Sequence, residues 1–181
     1  MNRLAQEAVL VALARRLDEH GSWSGETHIQ KATFLLHELT NVPFDFEFIL
    51  YKHGPFSFEL RDELSAMRAD RLLERQPQPA PYGPRIVVTD RGRQLEERLA
   101  KTMERYGQAI DWIAVQTGQR NVLELERLAT ALWITRNTDK VGDEQRAEEL
   151  TRIKPHVNRD AALAAVREID SLLSESNAIA A

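Results

Sequence analysis

The chain has 181 residues, of which 43% are hydrophobic and 29% charged, and this composition excludes a protein that is disordered throughout. It has no cysteine, which excludes disulfide frameworks, thiolate-bound metals and cysteine nucleophiles. Its 24 Lys and Arg against 28 Asp and Glu give a formal charge of -4, opposite to the basic excess that is typical of nucleic-acid-binding proteins.

The N-terminal segment predicts a helix over Asn2–His20, because leucines and alanines recur at helical spacing and Gly21 follows as a stop. Glu7, Arg15 and Asp18 interrupt its apolar run, so we expect neither a signal peptide nor a membrane span. Together with the absence of cysteine, this predicts a cytoplasmic protein with no membrane partner.

The next two segments predict a second helix and then an extended stretch. Thr27 and Gln30 have the spacing of a capping box, and the apolar residues that follow recur about every 3.6 positions, which predicts a helix to about Leu39. From Phe44 to Tyr51 the pattern changes to alternation, with phenylalanines on one face and acidic residues on the other. This alternation predicts a strand or an extended segment.

A turn, a third helix and a hairpin are predicted next. His53-Gly54-Pro55 ends the extended segment, and Ser57 offers an N-cap to a helix over about Phe58–Asp70. Two short strand candidates follow, Leu72–Arg75 and Arg85–Thr89, joined by a proline-rich tip. A β-hairpin fits this pattern.

The C-terminal half is predicted to be helical. A long helix over 91–115 carries a seam of large apolar residues, which we expect the C-terminal helices or a second subunit to bury, so a homodimer through this helix is an alternative. Further helices are predicted over 122–136 and 143–173, the latter interrupted at Lys154-Pro155 and restarted at Asn158. Residues 174–181 are predicted to be a flexible tail.

The order of these elements predicts a mainly α (α+β) protein. Helix, helix, strand, helix and hairpin form the order of a winged helix-turn-helix core, here over 1–89 with the hairpin as the wing. A helical extension over 90–173 is expected to pack on this core, so that the two form one compact unit.

Two segments resemble a known family. Lys31-Ala32-Thr33-Phe34-Leu35-Leu36 and Tyr51-Lys52-His53-Gly54-Pro55-Phe56-Ser57-Phe58-Glu59-Leu60 are similar to Panacea-domain (SocA-like) antitoxins and to the related YwgA-like winged-helix proteins. Lys154-Pro155 before a final helix is also similar. The resemblance implies neutralisation of a partner protein, or regulation through a winged helix, and it implies no catalytic activity.

Ten residues are candidates for contact with a partner or with nucleic acid. They are Trp23, Lys52, His53, Arg61, Arg68, Arg75, Tyr82, Arg85, Arg91 and Arg93. Lys52 and His53 lie beside the Gly54-Pro55 turn, which either presents them together with Tyr51 or only connects two elements. Trp23 is either an interface anchor or part of the core.

Binding to DNA is the alternative to binding a protein. Four arginines flank the predicted hairpin and could contact phosphates, while Tyr82 at its tip could stack on a base. The candidate recognition helix is less favourable, because its exposed positions hold four acidic and three basic residues, namely Glu59, Arg61, Asp62, Glu63, Arg68, Asp70 and Arg71.

No cofactor and no metal site is predicted. The five histidines, His20, His28, His37, His53 and His156, lack the spacing that places two ligands on one helix face. The sequence has no glycine-rich phosphate loop and no nucleophile elbow, and its paired carboxylates fall on predicted solvated helix faces. We therefore expect a protein that is not an enzyme.

The sequence favours a winged-helix protein that acts by binding a protein partner, in an antitoxin-like or regulatory role. The acidic balance and the mixed charge of the third helix support this preference. One alternative is a dimeric transcriptional regulator whose arginine-flanked wing contacts DNA. Another is a subunit of a larger defence or nucleic-acid-processing complex.

Overall fold

The computed structural model describes residues 1–79, 83–177 and 179, which form a mainly helical chain with two small antiparallel hairpins. The helices in these residues are α1 (Arg3–Glu19), α2 (Glu26–Thr40), α3 (Phe58–Ala69), α4 (Asp90–Arg98), α5 (Ala100–Thr117), α6 (Val122–Asn137), α7 (Asp143–Ile153) and α8 (Arg159–Ser176). The strands are β1 (Ile49–Tyr51), β2 (Gly54–Phe56), β3 (Leu73–Gln76) and β4 (Arg85–Val88). The mainly α prediction is confirmed, and β1–β2 is a second hairpin that the sequence did not predict.

Side-chain caps fix where most of these helices begin. The side chains of Asn2, Ser57, Thr89, Asn121 and Asn158 each accept a hydrogen bond from an N–H in the first turn of their helix. The caps that the sequence predicted at Ser57 and Asn158 are therefore confirmed. The side chains satisfy amides that the helix itself leaves without a partner.

The predicted capping box at the start of α2 is wrong. Gly25 occupies the N-cap position, and no side chain there accepts a hydrogen bond. The Gln30 amide is instead bound to Ser57, with Nε2 donating to the Ser57 carbonyl at 2.9 Å and Oε1 accepting from the Ser57 N–H at 3.0 Å. Because Gln30 is completely buried, it needs both partners to offset the loss of water.

The alternating segment behaves as predicted. Phe44, Phe46 and Phe48 are buried, whereas Asp45 and Glu47 between them are exposed. Only the last three residues of the segment pair as a strand, with Ile49 opposite Phe56 and Tyr51 opposite Gly54. The rest is extended chain held by its buried aromatic side chains.

The predicted hairpin is present as β3–β4. Its strands are antiparallel, with Leu73 opposite Val88 and Gln76 opposite Arg85. Tyr82, a predicted contact residue, lies outside the described residues.

The predicted long helix over 91–115 is broken into α4 and α5. The break falls at Leu99, whose backbone angles of φ -99° and ψ 40° are not helical. Both pieces pack against α1, and the guanidinium groups of Arg15 and Arg16 on α1 bind Glu96 of α4. Arg16 also bonds to Asp111 of α5, so α1 braces both sides of the break.

The part of the apolar seam on α5 lies against the N-terminal helices, which corrects the expectation that the C-terminal helices would cover it. A homodimer through this helix stays a prediction. Ile110 and Ile113 are fully buried, and α5 packs on α1 and α2. Meanwhile α2 also contacts α6 and α8, so the hydrophobic core is continuous across the predicted boundary between 89 and 90.

The C-terminal helix extends past the start of the predicted tail. α8 continues to Ser176, whose side chain is buried and donates to the Leu173 carbonyl at 3.0 Å. Within the described ranges, no helix is both long enough and apolar enough to cross a membrane.

We expect Gly92→Ala to destabilise the fold. A Cβ at Gly92 would lie 2.4 Å from the Leu72 carbonyl oxygen, so the start of α4 would have to move away from the hairpin. The free energy of unfolding in urea should fall by about 1–3 kcal/mol. Gly107→Ala is the control, because a Cβ there meets no atom within 4 Å, and stability should rise by up to about 1 kcal/mol. Equal stability of Gly92→Ala and the wild type would contradict this packing.

Candidate interaction site

The Gly54–Pro55 turn is held in a conformation that requires glycine. Gly54 has a φ of +84°, and a Cβ at this position would lie 2.9 Å from Thr130 Oγ1 on α6. Pro55 pairs with Leu50 and has no N–H to donate to β1. The turn is therefore pressed against α6, and its main-chain carbonyls must find partners from the neighbouring helices.

Lys31 of α2 supplies one of these partners. Its side chain is only 1% exposed, and its Nζ donates to the Pro55 carbonyl at 2.8 Å. Burial, together with the nearby Lys154 ammonium, lowers the pKa of Lys31 to about 8, and Glu126 opposes this shift. The fold therefore carries a charged amine at neutral pH in a place where the charge is disfavoured.

Lys154 and Glu126 complete the support beneath the turn. The Lys154 Nζ donates to the Lys52 carbonyl at 2.7 Å and lies 2.7 Å from Glu126 Oε1. Both side chains are almost fully buried. We refer to Lys31, Glu126 and Lys154 as the lysine clamp. It joins α2, α6 and the α7–α8 junction to a single turn.

Two histidines border the clamp at the surface. His53 Nδ1 lies 3.7 Å from Glu126 Oε2, and His156 Nε2 lies 4.0 Å from Glu126 Oε1. Their side chains are 68% and 56% exposed, so solvent reaches the rim of the clamp but not its centre. Because the ammonium groups are directed at main-chain carbonyls and at one carboxylate, the arrangement can fix the geometry of the turn.

The turn carries exposed aromatic rings on its outer side. The ring centroids of Tyr51, Phe56 and Phe58 are 5.1–5.8 Å apart, and we call these three residues the aromatic patch. Tyr51 is 53% exposed and Phe58 39%. The Arg61 guanidinium lies over the Phe58 ring at 5.1 Å from its centroid, and Ile49 extends the apolar surface.

Three predicted contact residues lie around this patch. Lys52 and His53 form the exposed turn, and Arg61 projects from α3 across Phe58. Sequence reasoning missed Phe56 and Phe58 as surface residues and missed all three residues of the lysine clamp. The three aromatic residues between 51 and 58 were a usable signal, because so many rings around one short turn favour exposure of some of them.

Three predicted residues lie at or near the β3–β4 hairpin. Trp23 is 40% exposed. Arg75 forms an ion pair with Glu26 of α2 at 3.2 Å, and Arg85 forms one with Asp18 of α1. Each arginine of the hairpin is therefore partly neutralised by a carboxylate of the same chain.

The remaining predicted arginines are dispersed. Arg93 binds Asp90 at 2.6 Å and also donates to the Val88 carbonyl. Arg91 is exposed at the start of α4, and Arg68 of α3 donates to Ser65 Oγ at 2.8 Å. Among the described residues, no group of three or more His, Asp or Glu side chains could hold a metal ion.

No family model matches this chain, and no curated protein matches it either. Function is therefore inferred from the chemistry of its surfaces.

We expect the stability of the protein to rise between about pH 8 and pH 10.5 because of Lys31. Its folded-state pKa of about 8 is below its ordinary value of 10.5. Between these two pH values the unfolded chain binds more protons than the folded chain, so the free energy of unfolding rises with pH. The gain is on the order of 3 kcal/mol in the free energy of unfolding. It is measured by urea unfolding at a series of pH values.

Lys31→Met should remove this pH-dependent rise, whatever its effect on stability at neutral pH. Lys101→Met changes an exposed lysine of α5 and should keep the slope of the wild type. A Lys31→Met protein with the wild-type slope would show that Lys31 is not the group responsible.

Proposed function

We propose that this protein acts without catalysis by binding a protein partner through the aromatic patch. The observation that carries the proposal is the exposure of Tyr51 and Phe58 on a turn that the lysine clamp fixes from beneath. A rigid surface loses little conformational entropy on binding, and aromatic and arginine side chains dominate the energy of interfaces. Arg61, already ordered over Phe58, adds such a side chain.

The partner that fits this surface presents an apolar side chain and a neighbouring carboxylate. The aromatic patch would bury the apolar group, and Lys52 and His53 at its border would face the carboxylate, whereas Arg61 is already paired with Asp62 at 2.9 Å. Glu59 and Asp62 lie on the same helix as Arg61 and would disfavour a phosphate backbone at this surface.

The proposed architecture is a winged-helix-like core extended by the C-terminal helices. The order α1, α2, β1, α3 and the β3–β4 hairpin supports this reading. The segments that resemble Panacea-domain antitoxins, residues 31–36 and 51–60, are brought together by the bonds from Lys31 to Pro55 and from Gln30 to Ser57. We therefore favour an antitoxin-like or regulatory role in the cytoplasm, alone or as a subunit of a larger complex.

The second candidate is a DNA-binding regulator that uses the hairpin. The grouping of Arg75 and Arg85 on the strands with Arg91 and Arg93 just after them favours it. Against it, three of these four arginines form ion pairs within the chain. An arginine that must leave a carboxylate before it reaches a phosphate contributes less to binding.

We expect the double variant Tyr51→Ala/Phe58→Ala to lose the partner. Tagged protein is produced at its natural level in the source cells, and the proteins that copurify with it are quantified by mass spectrometry. At least one should be depleted about tenfold or more, because each ring that anchors an interface contributes about 2 kcal/mol. The first candidate partner to test is the protein encoded by the neighbouring gene. The test is whether coexpression with this chain neutralises the toxicity of that protein.

The matched control is Leu123→Ala/Val141→Ala, which removes two apolar side chains that are 64% and 81% exposed elsewhere. It should retain the same copurifying proteins as the wild type. Identical protein sets from the two double variants would rule out the aromatic patch as the docking surface.

We expect only weak binding to random duplex DNA. Fluorescence anisotropy across a salt series should show at most weak, non-specific binding to DNA, with dissociation constants of about 1–100 µM at physiological salt. Replacing Arg75, Arg85, Arg91 and Arg93 together by alanine should change this affinity by less than about twofold at each salt concentration. Tight binding with a steep salt dependence that the quadruple variant loses would establish the DNA-binding alternative instead.

A further inference from the structure

The β1–β2 hairpin has one covered edge and one open edge. β2 lies against α2 and α6, so β1 is the outer strand. Leu50 of β1 is opposite Pro55 of β2. Pro55 has no N–H, and its carbonyl accepts from Lys31 Nζ at 2.8 Å, so the two residues form a non-hydrogen-bonded pair. The main-chain groups of a residue in such a pair are directed away from the partner strand, so the N–H and C=O of Leu50 face the open edge.

The open edge continues into the extended chain before β1. Main-chain groups two residues apart in a strand are directed to the same edge, so those of Phe48 lie beside those of Leu50. Among the described residues, no hydrogen bond involves the main-chain N–H or C=O of either residue. Phe48 is mostly buried and Leu50 half-buried, and peptide groups in such positions nearly always have a partner. The edge therefore has the character of a strand that lacks its neighbour.

The charges along this edge change sign from one end to the other. Asp45 and Glu47 are exposed before β1 and make one end acidic, although Asp45 also has the Met1 ammonium at 3.6 Å. Lys52 and His53 are exposed after β1 and make the other end basic. The centre is apolar, because Ile49 and Tyr51 occupy the exposed face there. An edge with this order of charges is complementary to itself when it is turned end to end.

We propose that this edge pairs with the same edge of a second copy of the chain. The two β1 strands run antiparallel about a two-fold axis at Ile49, which is the self-complementary geometry of a symmetric dimer. Phe48 of each copy then lies opposite Leu50 of the other, and the two exchange their free N–H and C=O groups. Four main-chain hydrogen bonds form across the axis.

The charges select this arrangement. Antiparallel pairing places Glu47 of each copy beside the Lys52–His53 end of the other, so that opposite charges meet twice. Parallel pairing would place the two acidic ends together and is disfavoured by repulsion. Acidic and basic residues on an edge strand can serve to prevent pairing, but here their order prevents only the parallel form.

The dimer joins two hairpins into one four-stranded sheet in the order β2–β1–β1–β2. Pairing at an edge leaves the faces of a sheet uncovered, so Ile49 and Tyr51 of both copies lie on one continuous apolar surface. This dimer is distinct from the one predicted through residues 91–115, which would use α4 and α5. It goes beyond the proposed partner binding and does not rest on it.

The proposal is tested first by sedimentation velocity over a range of protein concentrations. We expect a reversible monomer–dimer equilibrium with a dissociation constant between about 10 µM and 1 mM, because the pairing is short. In hydrogen exchange followed by NMR, the amides of Phe48 and Leu50 should exchange more slowly as the fraction of dimer increases.

Two charge-reversal variants test the geometry. Glu47→Lys makes both ends of the edge basic and Lys52→Glu makes both ends acidic, and both positions are exposed. Each variant alone should associate about tenfold more weakly than the wild type or worse, because like charges then meet at both ends. An equimolar mixture of the two should associate about tenfold more tightly than either variant alone.

Glu148→Lys is the matched control, because it reverses an exposed charge on α7, away from the edge, and should associate as the wild type does. Three results would each overturn the proposal. They are a protein that stays monomeric at about 1 mM, a dimer that both charge variants retain, and a mixture that associates no better than its components. None of these results bears on copurification through the aromatic patch, so the proposed function is judged separately.

Discussion

The structure depends on the cost of burying charge beneath one turn. Lys31, Glu126 and Lys154 are almost completely removed from water, and an unpaired charge in such a place costs several kcal/mol. The cost is offset only where the ammonium groups reach the Glu126 carboxylate and the carbonyls of Lys52 and Pro55. These three side chains therefore bring α2, α6 and the α7–α8 junction together at this turn.

The same constraint links the core to the surface to which function is assigned. Lys31, in the middle of α2, fixes the turn whose outer side carries Tyr51 and Phe58. A single buried helix thus orders an aromatic surface suited to a protein. The hairpin arginines, by contrast, are engaged with their own chain.

Local chemistry made much of the fold predictable. Ser57 and Asn158 were recognised as caps because a cap acts on amides within three residues, and the alternation from Phe44 to Phe48 marks which face is buried over a few positions. The Gly54–Pro55 turn was recognised for the same reason. These local rules failed at Gln30. Its spacing from Thr27 is that of a capping box, but its side-chain amide bonds instead to the backbone N–H and carbonyl of Ser57.

The sequence by itself determined the mainly helical class, most element boundaries, and the turn around which the proposed interaction site is built. Only the tertiary structure decided which charges are neutralised and which rings remain exposed. The pairs Arg85–Asp18 and Lys154–Glu126 join residues far apart in the chain, and no local pattern relates them. Burial and electrostatics depend on distances in three dimensions, whereas periodicity and capping depend on neighbours along the chain.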